Sequence, residues 1–412
     1  MTTEPVDPFS AYGRPCDEPV HDEAHPSVLR CGLAKILRQM NIPMWAQLAT
    51  EGQADSLGEL LDGLRRGHST TGDGKWISSA FAYAGEGPAD AWSKACQDRL
   101  YPVMRRSIES FRDRWCQIRS SLGSGPFNYV SLGPGDGQKD AVVLRELRRD
   151  NANLYYLPVD ASPDMLGFSV RDLIVQLRLS SDRILALPWD FARRDNQLRL
   201  RQLLDTAFGG TPVLFSLLGN TLANFTDDGE LLKNITANLL RSQDRLLLEV
   251  STAPLLDANH AALAAKEYER SSSFGEFVIS ALRRYTDLRV SKHDVSYVGT
   301  VEGNRALFVK VIYRKKEDGD TTFTLSTGEP VSFKHGDTIR LLVTRKYAHT
   351  GIAALLKDSG LTQLASTPAR FTSINDGPAF GMELAVLASN QDLLATVPEP
   401  TIADDLWRDP AI

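Results

Sequence analysis

The chain has 412 residues, is 42% hydrophobic and 24% charged, and carries a formal net charge of −6. That length suits two domains, or one domain with large insertions, and the composition is that of an ordinary globular protein. No basic block dominates, so nucleic acid is not expected as the main partner, and no apolar run is long enough to cross a bilayer. The cysteines Cys16, Cys31, Cys96 and Cys116 form no Cys-x-x-Cys pair, and the seven histidines are dispersed. Neither a protein-bound metal nor a redox motif is therefore expected, and idle thiols suit the cytoplasm. The start, Met-Thr-Thr-Glu-Pro-Val-Asp-Pro, lacks the basic and apolar parts of a signal peptide.

Residues 1–26 are proline-rich and acidic and are expected to form a disordered tail. Residues 27–120 read as a helical lobe. Leu29, Leu33, Ile36, Leu37 and Met40 fit a 3.6-residue period, as do Met104, Ile108, Phe111, Trp115 and Ile118. Between them a glycine-rich stretch, 68–73, precedes Trp76, Phe81, Tyr83 and Trp92. The charges Lys94, Arg99, Arg105, Arg106 and Arg112 read as a solvated helix face. Residues 121–250 alternate strand and helix, with strands at 127–132, 154–159, 184–187, 213–218 and 245–249 and helices such as 141–149 and 165–177. This order implies an α/β fold: a parallel sheet flanked by helices. Residues 251–340 break the pattern. Helices near 261–269 and 274–285 lead to strand-like runs at 290–299, 306–314, 321–325 and 330–333, which read as an inserted α+β lobe. The core is expected to return over 341–389, with a helix at 349–359 and a strand at 380–387, before a tail over 390–412.

The strand ending at Leu132 runs into Gly133, Gly135 and Gly137. Such glycines turn the backbone sharply and let a ligand approach where a side chain would block it. A nicotinamide fingerprint would place its third glycine where Gln138 stands, which favours S-adenosylmethionine (SAM) over a dinucleotide. Asp160 ends the next strand, 25 residues after Gly135, a spacing suited to a ribose-binding carboxylate. Asp190, in Trp-Asp-Phe after the third strand, can accept the adenine amino group while Phe191 packs on the ring. An ordinary helix N-cap is the alternative for Asp190.

These pieces together resemble the histidine-specific SAM-dependent methyltransferases, a group that includes histidine N-alpha- and dimethylallyltryptophan N-methyltransferases. Ser131-Leu-Gly-Pro-Gly-Asp-Gly-Gln-Lys139 is similar to Glu-Leu-Gly-Ser-Gly-x-x-x-Lys. Tyr156-Leu-Pro-Val-Asp-Ala-Ser162 is similar to Tyr-x-Pro-Val-Asp-x-Ser, and Leu218-Gly-Asn-Thr-Leu-Ala-Asn-Phe225 to Leu-Gly-Ser-Thr-Ile-Gly-Asn-Leu. Val343-Thr-Arg-Lys-Tyr347 is similar to a Ser-x-Lys-Phe segment. The resemblance runs over roughly residues 75–387 and implies a Rossmann-like SAM methyltransferase core. It implies that Gly133, Gly135 and Lys139 hold the methionine end of SAM, Asp160 the ribose, and Asp190 with Phe191 the adenine. It places Asn224 on the acceptor's alpha-amino and carboxylate groups, Tyr268 on its carboxylate, and Tyr83, with Tyr101 as a weaker match, along the acceptor pocket.

Some positions depart from the pattern. Leu342 and Thr344 stand where the family holds imidazole with Glu and Ser, and leucine cannot accept a hydrogen bond, a loss of about 1–3 kcal/mol. Ser131 replaces the Glu before the loop, and Asp136 adds a carboxylate within it, which implies rearranged cofactor contacts. The expected activity is SAM-dependent N-methylation of an amino acid or amino-acid-derived small molecule other than plain histidine. The alternatives are a larger peptide or specialised-metabolite acceptor, and a non-catalytic SAM- or metabolite-binding subunit. Asn224 also reads as a cap of the following helix, Tyr268 as core packing, and Arg345 and Lys346 as a solvated strand end. The sequence does not indicate an oligomeric state.

Overall fold

The computed structural model describes residues 59–60, 62–65, 74–83, 86–123, 125–179, 183–315, 319–371 and 380–390. The expected tails, 1–26 and 391–412, the helix containing Leu29 to Met40, and the glycine-rich stretch 68–73 lie outside these residues. In chain order the first elements are β1 (Lys75–Trp76), α1 (Ser79–Ala82), α2 (Glu86–Cys96) and α3 (Pro102–Ile118). The α/β core follows with β2 (Asn128–Leu132), α4 (Gln138–Asp150), β3 (Tyr156–Val159), α5 (Pro163–Leu177), α6 (Arg194–Phe208), β4 (Val213–Leu217), α7 (Asp228–Leu239) and β5 (Arg245–Thr252). Next come α8 (Ala258–Glu269), α9 (Ser272–Tyr285), β6 (Val295–Glu302), β7 (Ala306–Arg314), β8 (Thr321–Thr324), β9 (Pro330–Phe333) and β10 (Thr338–Tyr347). The chain then forms α10 (His349–Asp358), β11 (Leu361–Arg370) and β12 (Gly381–Ser389).

In the core, β3, β2, β4 and β5 lie side by side and parallel. Every residue of β2, β3 and β4 is buried, as their near-continuous apolar runs require when helices cover both faces of a sheet. β12 adds antiparallel to the far edge of β5, and β11 pairs antiparallel with β12. The chain moves outward from β2 to β3 and then crosses back to β4. The strand order therefore reverses between β2 and β4, the place where a parallel α/β sheet opens a crevice for a ligand. This is the Rossmann-like fold that the sequence implies.

Several elements differ from expectation. Residues 184–187 make only isolated bridges, Ile184 to Tyr156 and Leu187 to Val159, instead of a strand. The strand expected at 290–299 begins at Val295, after a capped turn in which Ser291 and Asp294 hydrogen-bond reciprocally. β11 has no counterpart in the sequence reading. Its burial does not alternate, and Pro368 stands within it, which suits an outer strand that pairs on one side only.

The antiparallel strands β6, β7 and β10 form a second sheet region, with β1 parallel to the start of β10. It meets the core where Tyr347 pairs with Thr252 and Ala253 N donates to Tyr347 O at 2.9 Å. Gly299 lets α8 lie close on β6, since a Cβ there would stand 1.9 Å from the Ala261 carbonyl oxygen. Leu60, Phe81 and Met104 share one hydrophobic core with Phe274, Phe277, Leu307 and Leu342, so the N-terminal helices and the inserted strands pack as one body. Further along α3, Phe111, Trp115 and Ile118 pack instead with Tyr129, Leu144 and Tyr156 of the core. α3 thus bridges the two regions.

Candidate functional site

A cavity opens at the carboxyl ends of β2, β3 and β4, beneath α2 and α3. Its wall includes Gly133, Gly135, Asp136, Lys139, Asp160, Asp190, Phe191, Asn224 and Tyr83. The glycine loop adopts the left-handed conformation at Gly133, Gly135 and Gly137, with φ of 72°, 61° and 76°. A side chain at Gly133 would press on Thr221 and Phe191 at the cavity wall, and one at Gly137 would meet the Ser169 carbonyl oxygen at 2.9 Å. The first glycine keeps the crevice open and the third lets α4 start against α5, two of the uses that glycine has in nucleotide-binding turns.

Asp160 follows β3 directly. Its carboxylate accepts from Ser162 N at 2.8 Å, and burial pushes its carboxyl up to about 7. Asp190 accepts from Ala192 N at 2.9 Å and is also raised by burial. This is a local turn bond, while α6 begins four residues later at Arg194, so Asp190 is not that helix's cap. Asp136 accepts from the backbone N and, at 2.6 Å, the side-chain amide of Gln138, which ties it to the first turn of α4. Lys139 points to Glu249 of β5 and donates to Ser107 Oγ at 2.5 Å.

Opposite the loop, Asn224 Nδ2 donates to the Tyr83 hydroxyl at 3.1 Å. The capping alternative for Asn224 fails, because Asp227 caps α7 by accepting from Glu230 N at 2.8 Å. Arg345 fixes the turn that carries Asn224. Its guanidinium donates to the carbonyls of Phe225 at 2.6 Å and Thr226 at 3.0 Å, and pairs with Glu302 at 2.8 Å. Asn220 braces the other end, donating to Thr344 Oγ1 at 3.2 Å and accepting from Ser251 N at 2.7 Å. Arg345 and Lys346 are 2% and 0% exposed, so the solvated-strand-end reading is corrected. Lys346 pairs with Glu267 at 2.7 Å and lies over the Tyr268 ring.

The other acceptor-side candidates do not line the cavity. Tyr268 is 1% exposed and packs on Tyr101, with ring centroids 5.3 Å apart, and on Phe274. That is the core-packing alternative. Leu342 is buried in the core shared by the helices and inserted strands, and Thr344 is occupied by Asn220. The cavity wall takes Trp92, Cys96, Met104, Ile108, Met165, Thr221 and Phe225 instead. The aromatic run through Tyr83 and Trp92 was the sequence signal for part of this wall. Tyr83 meets Trp92 edge-on at 5.4 Å, and both rings contact Phe277 at 5.0 Å. Burial raises the Tyr83 hydroxyl and Cys96 thiol well above their ordinary values, so both stay protonated. Asp140, absent from the sequence reading, accepts from the Tyr129 and Tyr156 hydroxyls, each at 2.6 Å, and burial pushes it up to about 6.

Among the described residues no group of three or more His, Cys, Asp or Glu side chains is arranged to hold a metal ion, and no helix is long and apolar enough to cross a membrane. Residues 57–370 match the family model described as histidine-specific methyltransferase, SAM-dependent. No curated protein matches the chain. The chain is similar to solved methyltransferase structures at low identity. One is a SAM-dependent methyltransferase from Clostridium acetobutylicum ATCC 824, with 11% identity, 73% of this chain and 92% of that chain covered, and a TM-score of 0.29. Another is magnesium protoporphyrin IX methyltransferase from Synechocystis PCC 6803 with bound S-adenosylhomocysteine, with 11% identity, coverage of 74% and 96%, and a TM-score of 0.37. A third is 1,6-didemethyltoxoflavin-N1-methyltransferase from Burkholderia thailandensis, with 12% identity, coverage of 76% and 91%, and a TM-score of 0.36.

Proposed function

Since the chain belongs to the histidine-specific, SAM-dependent methyltransferases, we propose that it methylates the amine of an amino acid or amino-acid-derived small molecule whose side chain is less polar than imidazole. The residues fit the donor. Gly133 and Gly135 leave room for it, Asp160 stands at the strand end where ribose hydroxyls would be accepted, and Asp190 and Phe191 offer a carboxylate and a ring to adenine. When bound, SAM supplies a methyl group already activated on a sulfonium.

The work left to the protein is orientation. The observation that carries the reading is the Asn224–Tyr83 contact on the wall facing the glycine loop, among Trp92, Met104, Ile108 and Phe225. Asn224 and the Tyr83 hydroxyl are neutral hydrogen-bonding groups, suited to holding an amine with its lone pair directed inward. The faces of Tyr83 and Trp92 favour a growing positive charge. Asp136, on the glycine loop that faces this wall, offers a carboxylate for the amine's proton. The apolar remainder favours an apolar or aromatic side chain, and Leu342, buried away from the cavity, gives imidazole no acceptor.

The test is equilibrium dialysis with SAM, followed by mass spectrometry of a panel of amino acids and their amines. Methylated apolar or aromatic members are expected. Tight SAM binding without any methylated product, or histidine as the best acceptor, would overturn the reading.

A further inference from the structure

Under the glycine loop lies a buried ion cluster to which the proposed reaction assigns no task. Glu249 is 0% exposed. One carboxylate oxygen accepts from Lys139 Nζ and from Gly219 N, the latter at 3.0 Å, and the other accepts from Arg114 Nη2 at 2.5 Å. Ser107 completes the cluster. Its hydroxyl accepts from Lys139 at 2.5 Å and its carbonyl from Arg114 Nη2 at 3.1 Å. Four parts of the fold therefore converge on one carboxylate: α3, the first turn of α4, the loop after β4, and β5. Ser131 supplies no charge here, since its hydroxyl accepts from Ser216 at 3.3 Å.

The charges do not cancel. Burial alone would push the Glu249 carboxyl up, but Lys139 and Arg114 outweigh it and hold it below its ordinary value. The cluster thus carries two cations and one anion. Nε and Nη1 of Arg114 are buried without a hydrogen-bond partner. A surplus buried charge is costly unless an opposite charge meets it. Lys139 and Gly219 both line the cavity, so an anion placed there would meet the surplus.

We propose that Glu249 is a positioning residue for the amino-acid end of the methyl donor. By fixing Lys139 against Ser107 and beside Gly219, it presents one net positive charge to the donor's carboxylate, and it does so only with α3 docked. The helical segment thereby takes part in donor binding as well as in forming the acceptor wall. This rests on the reading that the cavity holds SAM.

Two ligands separate the effects: S-adenosylhomocysteine, which has the amino-acid end, and 5′-methylthioadenosine, which lacks it. Titration calorimetry on the full chain is expected to show that Glu249→Gln weakens S-adenosylhomocysteine by about tenfold, the scale of a charged hydrogen bond. Methylthioadenosine should be unaffected. Lys139→Met should match this pattern, and Glu249→Gln should add nothing in the Lys139→Met background. Ser107→Ala, a smaller change that decides the matter if Glu249→Gln does not fold, should give a weaker loss with the same ligand selectivity. Equal losses for both ligands, unchanged or tighter S-adenosylhomocysteine binding, or additive effects of the Glu249 and Lys139 substitutions would overturn the proposal. If the wild-type chain binds neither ligand, or Asp160→Ala leaves both affinities untouched, the placement of SAM in this cavity fails instead.

Discussion

Asn224 and Tyr83 are 141 positions apart in the chain, yet the amide of one donates to the hydroxyl of the other at 3.1 Å. The contact joins the turn after β4 to the N-terminal helices across the cavity from the glycine loop. Tyr83→Phe removes the hydroxyl and keeps the ring. It is expected to lower kcat/KM for the acceptor by about fivefold, the value of one neutral hydrogen bond, with SAM affinity unchanged. Steady-state kinetics beside donor titrations check this. An equal loss in donor affinity would place Tyr83 on the wrong side of the cavity.

Asp160 is expected to make donor binding depend on pH. Burial pushes its carboxyl up to about 7, with Asp190 adding to the effect, and only the ionised form accepts both ribose hydroxyls. S-adenosylhomocysteine affinity should rise by about tenfold from pH 6 to pH 8, and Asp160→Asn should flatten the profile. The unliganded fold has the opposite sign. An acid whose folded value is raised binds its proton more tightly when folded, so its contribution to stability falls as pH rises from about 4 to about 7. Thermal melts of wild type and Asp160→Asn across that window measure the difference. A profile for wild type identical to that of Asp160→Asn would rule it out.

Restoring the family's residue at position 342 should not restore histidine recognition. Leu342 is 4% exposed, within the apolar core shared by the helices and the inserted strands. Leu342→Glu would bury a carboxylate away from the cavity at a cost of several kcal/mol. The expected result is a lower melting temperature with no histidine methylation. The loss should be larger at pH 8 than at pH 5, because protonation relieves it. A stable variant that methylates histidine would refute this placement.

Arg345 is expected to behave as a brace. It holds the carbonyls of Phe225 and Thr226 and pairs with Glu302 from within the core. Arg345→Leu would leave those acceptors without a donor and should destabilise the fold by about 3–5 kcal/mol, the scale for breaking a buried ion pair. Chemical denaturation checks this. A change below about 1 kcal/mol would mean that the turn holds itself.

The half of the site at the strand ends was legible in the sequence because local rules fix it. Gly133, Gly135 and Asp160 follow apolar strands, Asp190 follows an apolar run bridged to β3, and a parallel sheet sends the ends of its strands to one edge. The acceptor half was not legible to the same degree. Whether Tyr268, Leu342 or Thr344 faces the cavity depends on how α8 and β10 pack on distant elements, which periodicity does not encode. The burial of Lys346 was hidden for a related reason. A charged residue looks solvated until its partner, here Glu267, is known to lie beside it. Glu249 was obscured in the same way, since it sits within an apolar strand and its partners Arg114 and Lys139 come from two helices far from it in sequence.

The inserted sheet leaves the core after Thr252 and returns at Tyr347, and the two ends are paired neighbours. A loop closed at its base can change length or contour in its interior without altering the path of the strands that carry Gly133 and Asp160. The excursion touches the cavity wall through Phe277, on which Tyr83 and Trp92 rest, so changes within it would reach that wall through these two rings.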